Sequence, residues 1–325
     1  MLVVGLQGSP RKKGNTNYLL SIFLEQAAVL GARTRVVDVP RMNIGPCKEL
    51  VVCEKKGYCP IDDDMKTEVY SLLWEADVVV VASPIFFYNV TSQLKALIDR
   101  CQAMWARKYC LKLADPGRNY RRGVLLAAGA TKGKNLFEGM QLTIKYFFDA
   151  VGASYSYENS LTYREIEGAK DMAAHPTVHS DVRQAVQSLL GPLLQRKKIL
   201  FACRGNSCRS QMAAAFARSY GGTRFDVMTG GSEPAKEVDS LMVEVMQEKG
   251  IDMAFRNPRS IESALAQDRP ETVVTLGCAE ACPAVPGAKI IDWNLPDPAG
   301  GSIALMREVR DDIEGRVRKL IDDAA

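Results

Sequence analysis

Histidine is scarce in this chain of 325 residues: only His175 and His179 are present. Both fall in a polar stretch between two patterned halves, which argues against imidazole acid–base catalysis and histidine-ligated metal. No apolar run reaches the roughly 20 residues that a membrane-spanning helix needs. Met1 leads directly into a strand pattern, so neither a membrane anchor nor a secretory leader is expected. Charge of one sign is lacking too. The balance of 42 basic and 38 acidic residues leaves a formal charge of +4, too little to suggest a nucleic-acid partner. The Gly-x-Gly-x-x-Gly dinucleotide fingerprint is absent. The nine cysteines gather at loops instead of spreading as a disulfide framework, which fits redox or catalytic thiols in a reducing cytoplasm.

The length accommodates two cores. Both halves alternate buried-strand runs with helical stretches, which predicts two parallel-sheet α/β domains. The expected boundaries are residues 1–180 and 197–325. Between them, residues 181–196 are expected as a linker helix, apolar at Val182, Ala185, Val186, Leu189 and Leu190 and interrupted by Gly191-Pro192. Met242, Val245 and Met246 share helical spacing and read as core.

The densest chemistry lies in Cys203-Arg204-Gly205-Asn206-Ser207-Cys208-Arg209-Ser210. An apolar strand, Ile199-Leu200-Phe201-Ala202, precedes it, and a helical run from Gln211 follows. A strand–loop–helix turn of this kind aims backbone N–H groups at a tetrahedral anion and sets it on a helix N-terminus. Cys203 is positioned as the nucleophile beneath that anion, and Arg209 can grip two oxygens with its planar fork. Gly205, Asn206, Ser207, Cys208 and Ser210 are the expected oxyanion-binding residues, with Gly205 and Asn206 tolerating the positive φ such a loop needs. Asp297-Pro298 supplies a carboxyl that can protonate a leaving oxygen.

Cys-x5-Arg-Ser followed by a late Asp-Pro resembles the low-molecular-weight protein tyrosine phosphatase family, over about residues 196–325. Within it, the loop form and the Cys278-Ala279-Glu280-Ala281-Cys282 pair are closer to the thiol-dependent arsenate reductases that share the phosphatase fold. Ala299 and Gly300 after Asp297-Pro298 suit a small inorganic oxyanion better than an aryl phosphate. The resemblance implies that arsenate forms an adduct on Cys203, that Cys278 releases arsenite, and that Cys282 resolves the disulfide. The spacing of Cys278 and Cys282 is narrower than in those reductases, which leaves the order of thiol transfer open, and Cys208 is an alternative first partner for Cys203.

The first half carries three strand–loop units. Leu2-Val3-Val4-Gly5-Leu6 leads to Ser9, Arg11, Asn15 and Thr16; Asp77 to Ala82 leads to Ser83 and then Pro84-Ile85-Phe86-Phe87-Tyr88-Asn89; Gly123 to Ala128 leads to Gly129-Ala130-Thr131. Ligands of open α/β sheets sit at such carboxyl ends. Together the loops resemble the NADPH-dependent FMN reductase family, with a flavodoxin-like fold, and its iron-sulfur flavoprotein branch most closely. The resemblance implies FMN, with its phosphate at Ser9, Arg11, Asn15 and Thr16, and its ring lined by Pro84 through Asn89 and closed by Thr131. It also implies NAD(P)H as electron donor and a homodimer formed through the flavin domain. That branch has four cysteines in a compact run. Here Cys47, Cys53 and Cys59 are present and Leu50 stands where the fourth would be, so an iron-sulfur cluster is not expected. The three thiols are otherwise either loop residues with no task or electron carriers beside the flavin.

The leading expectation is therefore a cytoplasmic fusion of a flavin-dependent oxidoreductase and an arsenate reductase, its thiol relay recharged by FMN or by thioredoxin. Two alternatives stand beside it. One is a phosphatase that hydrolyses phosphate monoesters; the other is a flavoprotein whose second domain only senses an oxyanion.

Overall fold

The computed structural model describes residues 1–277 and 285–323. The chain forms two compact units, one of Met1–Lys112 with Tyr120–Leu194 and one of Leu113–Asn119 with Gln195–Ala325.

The first unit is built on five parallel strands, β1 (Leu2–Gln7), β2 (Arg33–Asp38), β3 (Val78–Pro84), β4 (Arg122–Ala128) and β5 (Leu161–Tyr163), in the order β2-β1-β3-β4-β5. β1, β3 and β4 read as nearly unbroken apolar runs because helices cover both faces of the sheet. Their register sets Gln7 opposite Ala82 and Pro84 opposite Ala128. The three following loops therefore leave from one edge, at the point where the strand order reverses between β1 and β3. The helix Asn15–Val29 packs Leu19, Leu20, Phe23 and Ala27 onto the sheet.

The connecting helix differs from its expected role. It runs from Val178 to Leu194 with Pro192 inside it. Its apolar stripe, Val178, Val182, Val186, Leu189, Leu190 and Leu193, lies in the same core as Val3, Leu19 and Phe23. Six buried aliphatic side chains contribute roughly 1.5–3 kcal/mol each to that packing, so the segment is a layer of the first unit and not a free linker. Pro192 lies near the C-terminal end of this helix, where it costs one intrahelical hydrogen bond.

The second unit has four parallel strands, β6 (Lys197–Cys203), β7 (Phe225–Gly231), β8 (Thr272–Thr275) and β9 (Lys289–Asp292), in the order β7-β6-β8-β9. The helix Arg209–Gly221 is buried along most of its length. Phe201, Met212 and Phe216 meet Met242, Val245 and Met246 as well as Val309, Ile313 and Val317 of the helix Ile303–Asp322 in one core, as the helical spacing predicts. Cys203, the last residue of the central strand β6, stands opposite Gly231. Among the described residues, no helix is long and apolar enough to cross a membrane.

Candidate functional site

The loop after β6 is held from outside by its carbonyls. Those of Cys203, Arg204, Gly205 and Ser207 accept backbone N–H bonds from Ser232, Glu233, Ala235 and Asp239, at 2.9–3.2 Å. In a planar trans peptide the next N–H points opposite to the carbonyl, so the loop's donors turn inward. The N–H of Asn206 lies 3.2 Å from Cys203 Sγ, which puts the sulfur at the centre of the cradle. Gly231 permits this close approach, because a Cβ there would stand 2.6 Å from the Arg204 carbonyl oxygen.

Asn206 organises the loop. It is fully buried at φ +48°, a conformation its short polar side chain can repay with local hydrogen bonds. Its Nδ2 donates to Ser210 Oγ at 2.8 Å, and its Oδ1 accepts from the Arg259 N–H at 2.9 Å. Gln211 Nε2 donates to the Asn206 carbonyl at 3.1 Å. Ser210 Oγ in turn lies 3.0 Å from Cys203 Sγ. The sequence reading missed Gln211; its signal was a polar residue directly before the run Met212–Ala217 of alanine, methionine and phenylalanine.

The structure brings Arg209 and Asp297 together. Arg209 Nη2 pairs with Asp297 Oδ2 at 2.8 Å, and Nη1 donates to the Leu295 carbonyl at 3.2 Å. Among the described residues the buried Nε has no hydrogen-bond partner. Gly277, at φ +80°, makes room for the guanidinium: a Cβ there would lie 2.5 Å from Nη1. Asp297 is half-exposed and also accepts from the Ala299 N–H at 3.2 Å, so its carboxyl sits between the arginine and solvent. Cys208 is a different kind of thiol. Burial first, then the nearby Asp239 carboxylate, push it up to about 12, so it stays protonated near neutrality and is a poor partner for rapid disulfide exchange. Cys278 and Cys282 lie outside the described residues.

In the first unit a cleft of about 290 Å³ opens at the sheet edge, lined by Ser9, Arg11, Asn15, Thr16, Pro84, Ile85 and Phe86. The helix beginning at Asn15 has Gly14 at its N-cap, no side-chain cap and no acidic residue in its first turn. Its terminal N–H groups and positive dipole thus face the cleft with no carboxylate in the helix's own first turn. Buried Ser9 and exposed Arg11 complete a cradle that fits the phosphate of FMN.

Several expected residues behave otherwise. The Asn15 side chain donates to the Gly168 carbonyl at 2.8 Å and accepts from the Met172 N–H at 3.1 Å, so it fastens the loop after β5 instead of offering a free donor. Phe87 and Tyr88 do not line the cleft. Both have positive φ, 46° and 62°, forming a two-residue turn closed by Phe86 and Asn89, and Phe87 is fully exposed. Asn89 turns its amide to Thr143 Oγ1 at 3.1 Å. Thr131 is likewise absent from the lining, where Gly129, Ala130, Ile166 and Glu167 stand. Ile166 and Glu167 carried no sequence signal, since they follow the short edge strand β5.

Cys47, Cys53 and Cys59 line a second cleft of about 440 Å³ in the same unit. All three are free thiols with at least partial exposure. Burial, then the neighbouring Cys59 and Cys47, raise the Cys53 thiol above its ordinary value. The base of the loop is clamped by a buried ion pair. Arg100 Nη1 and Nη2 reach the two Asp63 carboxylate oxygens at 2.5 and 3.1 Å, and Nη1 also donates to the Gly45 carbonyl at 2.9 Å. Leu50, half-exposed, also lines this cleft. Among the described residues no three histidine, cysteine or acidic side chains stand close enough to hold a metal ion. The donor set does not fit a four-thiolate iron-sulfur cluster.

Residues 1–135 match the family model for NADPH-dependent FMN reductase, and residues 198–325 match that for low molecular weight phosphotyrosine protein phosphatase. The iron-sulfur flavoprotein of Methanosarcina thermophila is 37% identical over 112 residues, covering 34% of this chain and 58% of that protein. The chain thus spans little more than half the length of that relative. Arsenate reductase 1 of Bacillus cereus is 38% identical over 128 residues, covering 38% of this chain and 93% of that protein. A solved structure described as "An arsenate reductase in the phosphate binding state" is 34% identical, covers 40% of this chain and 99% of its own, and has a TM-score of 0.36.

Proposed function

This chain belongs to the low molecular weight phosphotyrosine protein phosphatase family through its second unit, and from that premise we propose that it is an oxidoreductase that reduces arsenate to arsenite. The carrying observation is the Cys203 sulfur at the centre of an inward-facing N–H cradle, with Ser210 and Asn206 on it and the Arg209–Asp297 pair in the same site. The Cys203 thiolate forms a bond to arsenic. One arsenate oxygen leaves as water after taking a proton from Asp297, and the loop N–H groups and Arg209 hold the remaining negative charge. Cys278 then attacks the Cys203 sulfur. The S–As bond breaks with its electron pair going to arsenic, which departs as arsenite, and a Cys203–Cys278 disulfide is left. Cys282 attacks Cys278, freeing Cys203 and closing a Cys278–Cys282 disulfide.

The first unit would hold FMN, its phosphate at Ser9, Arg11, Thr16 and the helix N-terminus and its ring along Pro84, Ile85 and Phe86. FMN held there would supply two-electron redox chemistry drawing on NAD(P)H, of the kind needed to return a disulfide to dithiol; thioredoxin is the alternative source.

The test is arsenite production by the full chain with arsenate, FMN and NADPH and no added thioredoxin. Cys203→Ser should abolish turnover, by roughly 10³-fold or more, while isothermal titration with phosphate still detects anion binding. Turnover within tenfold of the parent would remove Cys203 from the role of attacking atom. A phosphatase reading has support of its own, because the half-exposed Asp297 on Arg209 is equally placed to protonate an ester oxygen. Full turnover of an aryl phosphate by both the parent and a Cys278→Ala, Cys282→Ala variant, with no arsenite made by the parent chain, would favour hydrolysis.

A further inference from the structure

The three-thiol cleft of the first unit has no task in the chemistry above. It combines features that point to one class of ligand. Cys47, Cys53 and Cys59 line a single opening, are reduced, and come from one segment, Cys53 on its short helix Val52–Lys56, anchored at its base by the buried Asp63–Arg100 pair. Leu50, which lines the same opening, offers no fourth thiol. Three soft thiols without a fourth match a trivalent, three-coordinate thiophile, not a tetrahedral metal or a four-thiolate cluster.

We propose that Cys47, Cys53 and Cys59 form a capture site for trivalent arsenic, supplied as arsenite. The proposal rests on the arsenate-reductase reading only for the source of that ligand. The chemistry balances without a redox partner: three S–H groups condense with the three As–OH groups of arsenous acid, three As–S bonds form, and three waters leave. Arsenic keeps its lone pair and its oxidation state. Because the bonds form one after another, the sulfurs need not begin at metal-holding distance. The first two fix arsenic in the cleft, and the third closes on it. Cys53, raised by burial and by Cys59 and Cys47, is held as the protonated thiol that this condensation consumes. The consequence is product retention: arsenite formed by the second unit has a thiol site on the same chain, at an effective concentration that a tether raises to about the millimolar range.

The experiment uses the anaerobically reduced full chain carrying Cys278→Ser and Cys282→Ser, so that the relay pair cannot bind arsenic. Arsenite itself is the probe. Expected are one arsenite bound per chain, protection of three thiols from alkylation, and an arsenic-edge X-ray absorption spectrum with sulfur neighbours and no oxygen. Adding Cys53→Ser, and separately Cys59→Ser, should weaken binding by at least the roughly tenfold to hundredfold that even an outer-shell change costs a metal site. Circular dichroism checks that both variants remain folded. The proposal is overturned by absent binding, by binding unchanged in both variants, or by an oxygen-containing shell. It is also overturned if iron and sulfide build a visible-absorbing cluster in the cleft that blocks arsenite. Arsenate turnover by Cys53→Ser with Cys203, Cys278 and Cys282 intact is measured alongside. Loss of capture with turnover preserved separates this site from the reductase reading, and failed turnover by the parent chain leaves the capture result standing.

Discussion

The cysteine-bearing segments at Cys203 and at Cys47–Cys59 are built on opposite plans. The loop at Cys203 is overdetermined. Its carbonyls are claimed by the segment Ser232–Asp239, its one left-handed non-glycine residue, Asn206, is compensated by three side-chain hydrogen bonds, and its sulfur is nearly inaccessible. The segment Cys47–Cys59 is fixed at its base by Asp63 and Arg100, carries the short helix Val52–Lys56 and is more exposed. Glu49 and Val51 both sit at positive φ, 52° and 59°, and Leu50 and Val51 are exposed. A β-branched residue there costs of order 1–3 kcal/mol and persists only where neighbours impose it. The difference separates two uses of a thiol. An attacking sulfur gains from preorganised donors that do not move during the reaction, whereas sulfurs that must converge on one soft atom gain from a segment that can adjust.

Breaking the clamp of the Cys47–Cys59 segment should give the largest effect. Asp63→Asn leaves Arg100 buried with half its partner gone, so the first unit should lose about 3–5 kcal/mol, read by chemical denaturation. Loss of less than 1 kcal/mol would show the pair is not what anchors the loop. The pH dependence has a definite sign. Burial opposes ionisation of Asp63, but the Arg100 hydrogen bonds and the Gly45 and Met65 N–H groups outweigh it and hold the carboxyl below its ordinary 3.8. Its stabilisation is complete above that value and disappears as pH falls through the depressed folded-state value, so the gap between parent and variant should close in acid.

In the tight loop, Arg209→Lys should lower kcat for arsenate by about 10²–10³, because a point charge replaces a planar fork. Initial-rate kinetics would show this, and a change confined to KM would indicate uniform binding instead. Asn206→Ala comes next. It removes the compensation for the positive φ and should cost roughly 1–3 kcal/mol, with the first unit unaffected in the same denaturation scan. The smallest effect is expected at the flavin cleft. Arg11→Ala should weaken FMN about tenfold by fluorescence quenching, the loss of one exposed charge-assisted contact, without altering phosphate affinity at Cys203.

Much of this was legible in the sequence, for reasons that also explain the failures. Buried parallel strands announce themselves as apolar runs, so β1, β3, β4, β6 and β8 and the loops leaving them were readable. The Cys203-to-Arg209 spacing pointed to a strand–loop–helix turn with Cys203 at its start, and the structure forms that turn between β6 and the helix Arg209–Gly221. Amphipathic spacing in Val182–Leu190 revealed a buried stripe but could not say which core it joins. The run Pro84 to Asn89 read as one lining surface, yet Phe87 and Tyr88 turn away because the chain reverses there through two left-handed residues. Asn15 offered an amide of the right type, and a loop more than 150 residues away claims it. Pairings such as Arg209 with Asp297 depend on two separate strands ending at the same edge, which local patterns do not encode.

Gly277 carries a further consequence. It accommodates the Arg209 guanidinium against its bare α-carbon and at the same time immediately precedes Cys278. In the proposed reduction, recognition of the anion and the start of the thiol relay would therefore share one residue's backbone. Any side chain at 277 would meet the arginine first. On that reading neither the specificity of the site nor its redox wiring can be retuned through this position without disturbing the other.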